Sequence, residues 1–437
     1  MTKEQLKQAA CEAIDRNRDR IFALGDAIYC EPELGYKEVR TAAKFKALLD
    51  ELGYPYRDGV ALTGVVSRRK GRSSRLNVAV MGELDAVISP SHPDSNDETG
   101  AVHACGHNCM IAVLGGVAIA LKEANLMEEL DGDVSLMAVP AEECVEIEYR
   151  NRLRAEGKIH FLGGKQEFIR LGEMDDVDMM LMQHTALAAP GFKAGAGSNC
   201  NGFTVQLVRY IGREAHAGAA PFEGVNALNA AMLGLMGIHA NRETFRDEDH
   251  IRVHPIITKG GDLVNVVPAD VRLESYVRGT KTSAILDARD KVDRALRAGA
   301  DAVGAKVEIT HLPGYLPSIL NDGLMGLCYE NLKTLVGEDA QYDCVGFGGG
   351  STDAGDISHL MPTLHAFFAG AKGGFHSEEF TVVDKELAYL TAAKALTMTV
   401  IDLLADGAET GLAIKQAYQP VFTKEEYLTK WGGLDAQ

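Results

Sequence analysis

The side chains best equipped for chemistry in this chain sit in short polar stretches that follow apolar runs. The run 76–81 leads to Gly82-Glu83-Leu84-Asp85, and 134–139 leads to Pro140-Ala141-Glu142-Glu143. The run 177–182 leads to Gln183-His184, and 363–368 leads through a glycine-rich loop to His376. A further stretch, His103-Ala104-Cys105-Gly106-His107, precedes an apolar helical segment. Thiolate, imidazole and carboxylate together suit zinc or a similar first-row metal, whereas calcium or magnesium would want oxygen ligands throughout. Cys105 and His107 are two apart, so an extended strand end would point them the same way. Glu142 and Glu143 are adjacent, which lets one carboxylate ligate a metal while the other stays off it and moves protons. Serine chemistry finds no Gly-x-Ser-x-Gly elbow, and the stretch Gly348 to Asp353 lacks the lysine of a phosphate loop. It reads as a turn that positions Ser351, Thr352 or Asp353 near the site.

These residues need a scaffold that brings strand ends to one edge. Residues 65–66, 76–81, 134–139, 177–182 and 363–368 read as buried strands, and 109–124 as a helix. Alternation of this kind implies an α/β fold with a mainly parallel sheet covered by helices on both faces. Ligands bind beyond the carboxyl ends of such strands. The first fifty residues read as two amphipathic helices around a turn at Glu31 to Gly35. The middle of the chain has another rhythm: strand 203–211, helix 224–241, strands 251–258 and 271–277, helix 282–303 and strand 306–312. This β-α-β-β-α-β order is the split βαβ, ferredoxin-like pattern, an inserted α+β domain over 201–314. Residues 1–200 and 315–437 then make one discontinuous metal-binding domain. The charged stretch 144–164 is either a lid segment over the site or a solvated helical excursion.

Composition bounds the partners. The 437 residues carry 62 acidic against 44 basic side chains, a net charge of -18. Such a surface argues against nucleic acid and anionic membranes, which demand clustered lysine and arginine. Eight cysteines without CxxC pairs suggest a reducing compartment, and the charged N-terminus lacks an apolar signal core. A cytoplasmic protein acting on a small molecule is the resulting expectation.

The same residues resemble a known family, the aminoacylase and carboxypeptidase G type of co-catalytic metallopeptidases. Within it they are most similar to the amidohydrolase branch of p-aminobenzoyl-glutamate hydrolase and β-alanyl-lysine dipeptidase-like proteins. The resemblance rests on EPELGYKE (31–38), GELDAV (82–87), HACGHN (103–108), PAEE (140–143) and GGK followed by DDVDMMLMQH (175–184). It continues in EAHAGAAPFEGVNALNA (214–230), RVHPIITKGGDLVNVVPADV (252–271), GGGSTDAGDIS (348–358) and GGFHSEEF (373–380).

The resemblance implies two divalent metal ions, zinc, manganese or cobalt, held by Cys105, His107, Glu143, His184 and His376. Cys105 matches a ligand shared between the metals, with His107 and His184 on one ion and Glu143 and His376 on the other. Glu142 matches the general base that deprotonates water, and Asp85 an acid that orients a ligating histidine. His216 and Asn265 match groups that bind substrate carboxylate or the oxyanion, in some members from the neighbouring subunit. Arg278 is either a partner for a substrate carboxylate or a surface arginine. The inserted domain would serve as lid and dimerisation domain of a homodimer. The branch tends to carry Asn at the position of Asn108, where many other members have Asp, and Glu83 stands where others have Asp. The implied reaction is hydrolysis of the amide bond of an N-acyl amino acid or small dipeptide. A non-catalytic partner subunit and a metal-dependent esterase are the other readings.

Overall fold

The computed structural model describes residues 1–344 and 349–434, so Gly348 of the glycine-rich stretch lies outside the described residues. The chain opens with helices α1 (Lys3–Arg16), α2 (Arg18–Tyr29) and α3 (Val39–Leu52). The first of the two expected helices is thus broken at Asn17. That residue leaves helical geometry (φ −100°, ψ 16°), and its side-chain amide donates to Ala13 O at 2.9 Å and Glu123 Oε2 at 2.8 Å. Strands β1 (Gly64–Arg69), β2 (Asn77–Glu83), β3 (Asp133–Val139) and β4 (Met179–Leu187) follow. Between them lie helices α4 (His107–Glu123), α5 (Ile147–Ala155) and α6 (Gly164–Leu171).

Next come β5 (Gly202–Ile211), α7 (Ala227–Ala240), β6 (Arg252–Lys259), β7 (Asp270–Gly279), α8 (Thr282–Val303) and β8 (Lys306–Pro313). The chain returns through β9 (Thr363–Lys372) and α9 (Ala392–Leu404).

Two compact units divide the chain. One comprises Met1–Asn199, Ile319–Phe347 and Asp356–Lys424; the other comprises Cys200–Ser318, Gly348–Gly355 and Glu425–Gln437. In the first unit the central strands run in the order β1-β3-β2-β4-β9. The pairs β3–β2, β2–β4 and β4–β9 are parallel, and β1 joins antiparallel. Every residue of β2 is buried. Successive side chains of a strand face opposite ways, so such a run is covered on both faces. The α4 segment from His107 to Leu121 is buried throughout. The helix ending in α9 is apolar and long enough from Glu386 to cross a membrane by length and composition, and it lies buried in this core.

The second unit builds a four-stranded antiparallel sheet in the order β6-β7-β5-β8. Burial alternates residue by residue along β7. One face therefore packs Val208, Val271, Leu273 and Val277 against Val292 and Leu296 of α8, and along β7 the other face is half-buried. Asn201 N donates to Gly350 O at 2.8 Å, and Trp431 Nε1 donates to Gly314 O at 3.1 Å within this unit.

Candidate metal centre

The first unit gathers its polar residues at the carboxyl ends of β2, β3, β4 and β9. Beyond β2, Leu84 N donates to Val139 O (2.9 Å) and Ala86 N to Glu33 O (2.8 Å), which fixes Asp85 between them. The HACGH stretch is not an extended strand end: its short strand stops at Val102, and the chain then turns into α4. Gly106 makes the turn with φ +84°, and a Cβ there would stand 2.9 Å from Thr185 Cβ. Only glycine combines that dihedral with that approach. His184 lies inside β4, not after it, because pairing continues with His184 opposite Phe367 and Thr185 opposite Phe368.

Two triads of ligand atoms result. Cys105, His107 and His184 offer one set, and Cys105, Glu143 and His376 the other, with the atoms of each set within 4.8 Å of one another. Cys105 Sγ lies 3.5 Å from His184 Nε2, and Glu143 Oε1 lies 2.9 Å from His376 Nε2. His376 has φ +57°, and its amide donates to Ala104 O at 2.9 Å. The histidine rings are oriented from behind. His107 Nδ1 sits 2.9 Å from Asp85 O and 3.2 Å from Asp85 Oδ1, and His184 Nδ1 sits 2.7 Å from Thr185 O. Oxygen acceptors place a ring proton on Nδ1 and leave Nε2 facing the cluster. The Nε2 of His107 is buried without a hydrogen-bond partner. A buried imidazole nitrogen in this state, beside a thiol and carboxylates, fits a cation.

The Glu142-Glu143 turn is held from three sides. Asp85 Oδ2 accepts from Glu143 N at 2.9 Å. Glu38 Oε1 accepts from Ala141 N at 2.8 Å, and Ala141 takes φ +56°. The third support comes from the charged stretch, which packs one face of a helix on this turn. Its helix α5 buries Ile147, Arg150 and Leu153. Arg150 donates to Ala141 O at 3.2 Å, to Leu162 O at 2.7 Å and to Glu143 O. Its guanidinium also lies over the Tyr36 ring, 5.4 Å from the centroid. The GYKE motif packs here too: a Cβ on Gly35 would collide with the Arg150 guanidinium, and Lys37 pairs with Glu146 at 2.7 Å. Sequence reasoning missed Arg150. The only trace was an arginine flanked by apolar residues at helical spacing in a charged segment.

It missed Lys165 as well, although the GGK motif contains it. Lys165 Nζ is buried and lies 2.5 Å from Glu83 Oε1. Burial alone would raise the Glu83 carboxyl, but the Lys165 ammonium outweighs it and holds it at about 2. Likewise burial would raise Glu143, and the hydrogen bond from His376 keeps it at about 2. Burial, with the Glu143 carboxylate beside it, pushes the Cys105 thiol well above its ordinary value. Burial would lower His107, yet the Glu83 carboxylate carries it well above the imidazole range. Glu142 is buried with Oε2 4.0 Å from His107 Nε2. His103 is buried with neither ring nitrogen bonded, and burial lowers it to about 3.

The other expected residues belong to the second unit. His216 is exposed, and its Nδ1 accepts from Gly218 N (3.1 Å) and Ala219 N (3.0 Å). That leaves its Nε2 as a hydrogen-bond donor when neutral. Asn265 is exposed, and its carbonyl accepts from Ala217 N at 2.9 Å. Arg278 stacks over Phe203 and Tyr276, lies 3.1 Å from His254 Nε2 and donates to Ser351 Oγ at 3.1 Å. Ala354 N donates to Thr352 Oγ1 at 3.2 Å, and Asp353 is buried.

Residues 79–401 match the family model described as Peptidase family M20/M25/M40. The mouse protein named Xaa-Arg dipeptidase is 30% identical over 424 residues, covering 92% of this chain and 89% of that one. Among solved structures, a Bacillus subtilis dinuclear metal-binding peptidase of family M20 aligns at TM-score 0.66 and 20% identity, over 89% of this chain and 99% of that one. The aminobenzoyl-glutamate utilization protein of Klebsiella pneumoniae aligns at TM-score 0.67 and 19% identity, over 90% and 97%. The chain belongs to the M20/M25/M40 peptidase family and is a hydrolase of peptide or amide bonds.

Proposed function

We propose that this protein is a two-metal amidohydrolase that cleaves the amide bond of a small dipeptide or N-acyl amino acid. The observation that carries the reading is the pair of triads sharing Cys105, with the Glu142 carboxylate beside them. Cys105, His107 and His184 would hold one divalent ion, and Cys105, Glu143 and His376 the other. When bound, the ions supply Lewis acidity to the scissile carbonyl and to water. Glu142 accepts the proton of the attacking water and returns it to the leaving amine. Asp85 keeps His107 turned toward its ion and holds the Glu143 amide. His216, as a donor at Nε2, and Asn265 are the groups proposed for the substrate carboxylate or the oxyanion. Arg278 is proposed as a support for Ser351 in place of a direct substrate contact, since its Nε and one terminal nitrogen are engaged by His254 and Ser351. Zinc, manganese and cobalt all suit the donor set.

The second unit, with its β-α-β-β-α-β order, is proposed as a ferredoxin-like lid and as the dimerisation module. Its edge strand β6 exposes Ile256 and Ile257, and α7 exposes Met232, Leu233 and Met236. These apolar surfaces favour a second copy of the chain. The substrate class follows the mouse relative's name, so dipeptides ending in arginine head the panel to be assayed.

The test is metal content together with hydrolysis of a panel of dipeptides, N-acyl amino acids and matched esters. Glu142→Ala should keep its metal and lose about 10²–10⁴-fold in turnover. Normal turnover in that variant, or intact protein without metal or activity, would sink the reading.

A further inference from the structure

Glu83 is a carboxylate that the two triads leave unused. Its side chain is buried, and Lys165 Nζ occupies Oε1 at 2.5 Å. The second oxygen, Oε2, is buried with no hydrogen-bond partner. It lies 3.0 Å from His107 Nε2, which is buried and unpartnered as well. The two atoms are near yet make no hydrogen bond, so they converge on one point without satisfying each other. Glu83, His107 and Glu142 also present ligand atoms within 4.8 Å of one another. A buried carboxylate oxygen without a hydrogen bond is strongly disfavoured unless a cation meets it.

We propose that Glu83 is an additional ligand of the ion held by His107 and His184, with Lys165 restricting it to one coordinating oxygen. The inference rests on the metal-dependent reading above. Lys165 has two effects in this arrangement. It stabilises the carboxylate before any ion arrives, and it prevents a bidentate grip on the ion. Glu142, off the metal, is then distinguished from Glu83 by its partner: one buried carboxylate is tied to an ammonium, and the other is left to move protons.

The full-length protein is stripped with a chelator and reloaded with cobalt(II). Metal affinity and the visible spectrum are then compared for wild type, Glu83→Gln and Glu83→Asp. Glu83→Gln should bind one of its ions about 100-fold more weakly. Its cobalt absorption should intensify as the coordination number falls. Unchanged affinity and an unchanged spectrum in Glu83→Gln would overturn the assignment. Should the variants not fold, the zinc-loaded wild-type crystal structure decides the matter. A Glu83 oxygen within about 2.2 Å of zinc supports the proposal, and an intervening water overturns it. A wild type that takes up no metal would overturn the functional reading and this assignment together. Metal uptake by the wild type with undiminished affinity in Glu83→Gln overturns this assignment alone.

Discussion

Cys105 and His107 hold their protons more tightly in the metal-free protein than free side chains do. Both must release them to ligate an ion. Metal binding should therefore expel protons, and affinity should rise with pH and fall in acid, by about tenfold per pH unit for each proton released. Calorimetry with zinc in buffers of different ionisation enthalpy measures the released protons directly. A pH-independent affinity would contradict the proposed ligand set. The ligand candidates themselves were readable from residue type and from position after apolar runs. Lys165 was not, because a lysine in a glycine-rich motif gives no sign that it will be buried. Its burial follows from where α6 starts: a Cβ on Gly164 would collide with Pro140 O, so this backbone packs directly on the Glu142 turn.

At the scale of elements, α5 contributes most that was unexpected. Its single buried guanidinium donates to the carbonyls of Ala141, Glu143 and Leu162 and so ties three stretches of backbone together. Arg150→Met should lower stability by about 3 kcal/mol and reduce kcat more than KM, because the Glu142-Glu143 turn loses a support. Arg150→Lys, with fewer donors, should fall between. Chemical denaturation alongside steady-state kinetics checks both, and a variant as stable and as active as wild type would refute the clamp. Charge composition suggested a solvated helix for this segment. Periodicity counts apolar residues, so a buried arginine paired to backbone carbonyls looks like surface. The same limitation applied to HACGH, where spacing suggested an extended strand and Gly106 instead makes a left-handed turn.

For the whole molecule, the open edge of β6 and the apolar side of α7 bear on assembly. Exposed apolar side chains on an unpaired edge strand invite pairing with a like strand. Sedimentation should find wild type as a dimer and the double variant Met236→Lys, Ile256→Lys as a folded monomer. A wild type that is monomeric at all concentrations would remove the dimer from the proposal.

Residue order alone determined the alternation of strands and helices, the change of rhythm in the middle of the chain and the candidate ligands. Those features depend on side-chain period and on short motifs, which are local properties. Only the tertiary structure decided that Glu83 turns one oxygen to Lys165 and the other to His107, and that Arg150 holds the Glu142-Glu143 turn. Lys165 lies 82 residues from Glu83. Contacts at such separation are set by sheet order and backbone approach, for which no single stretch of sequence carries a code.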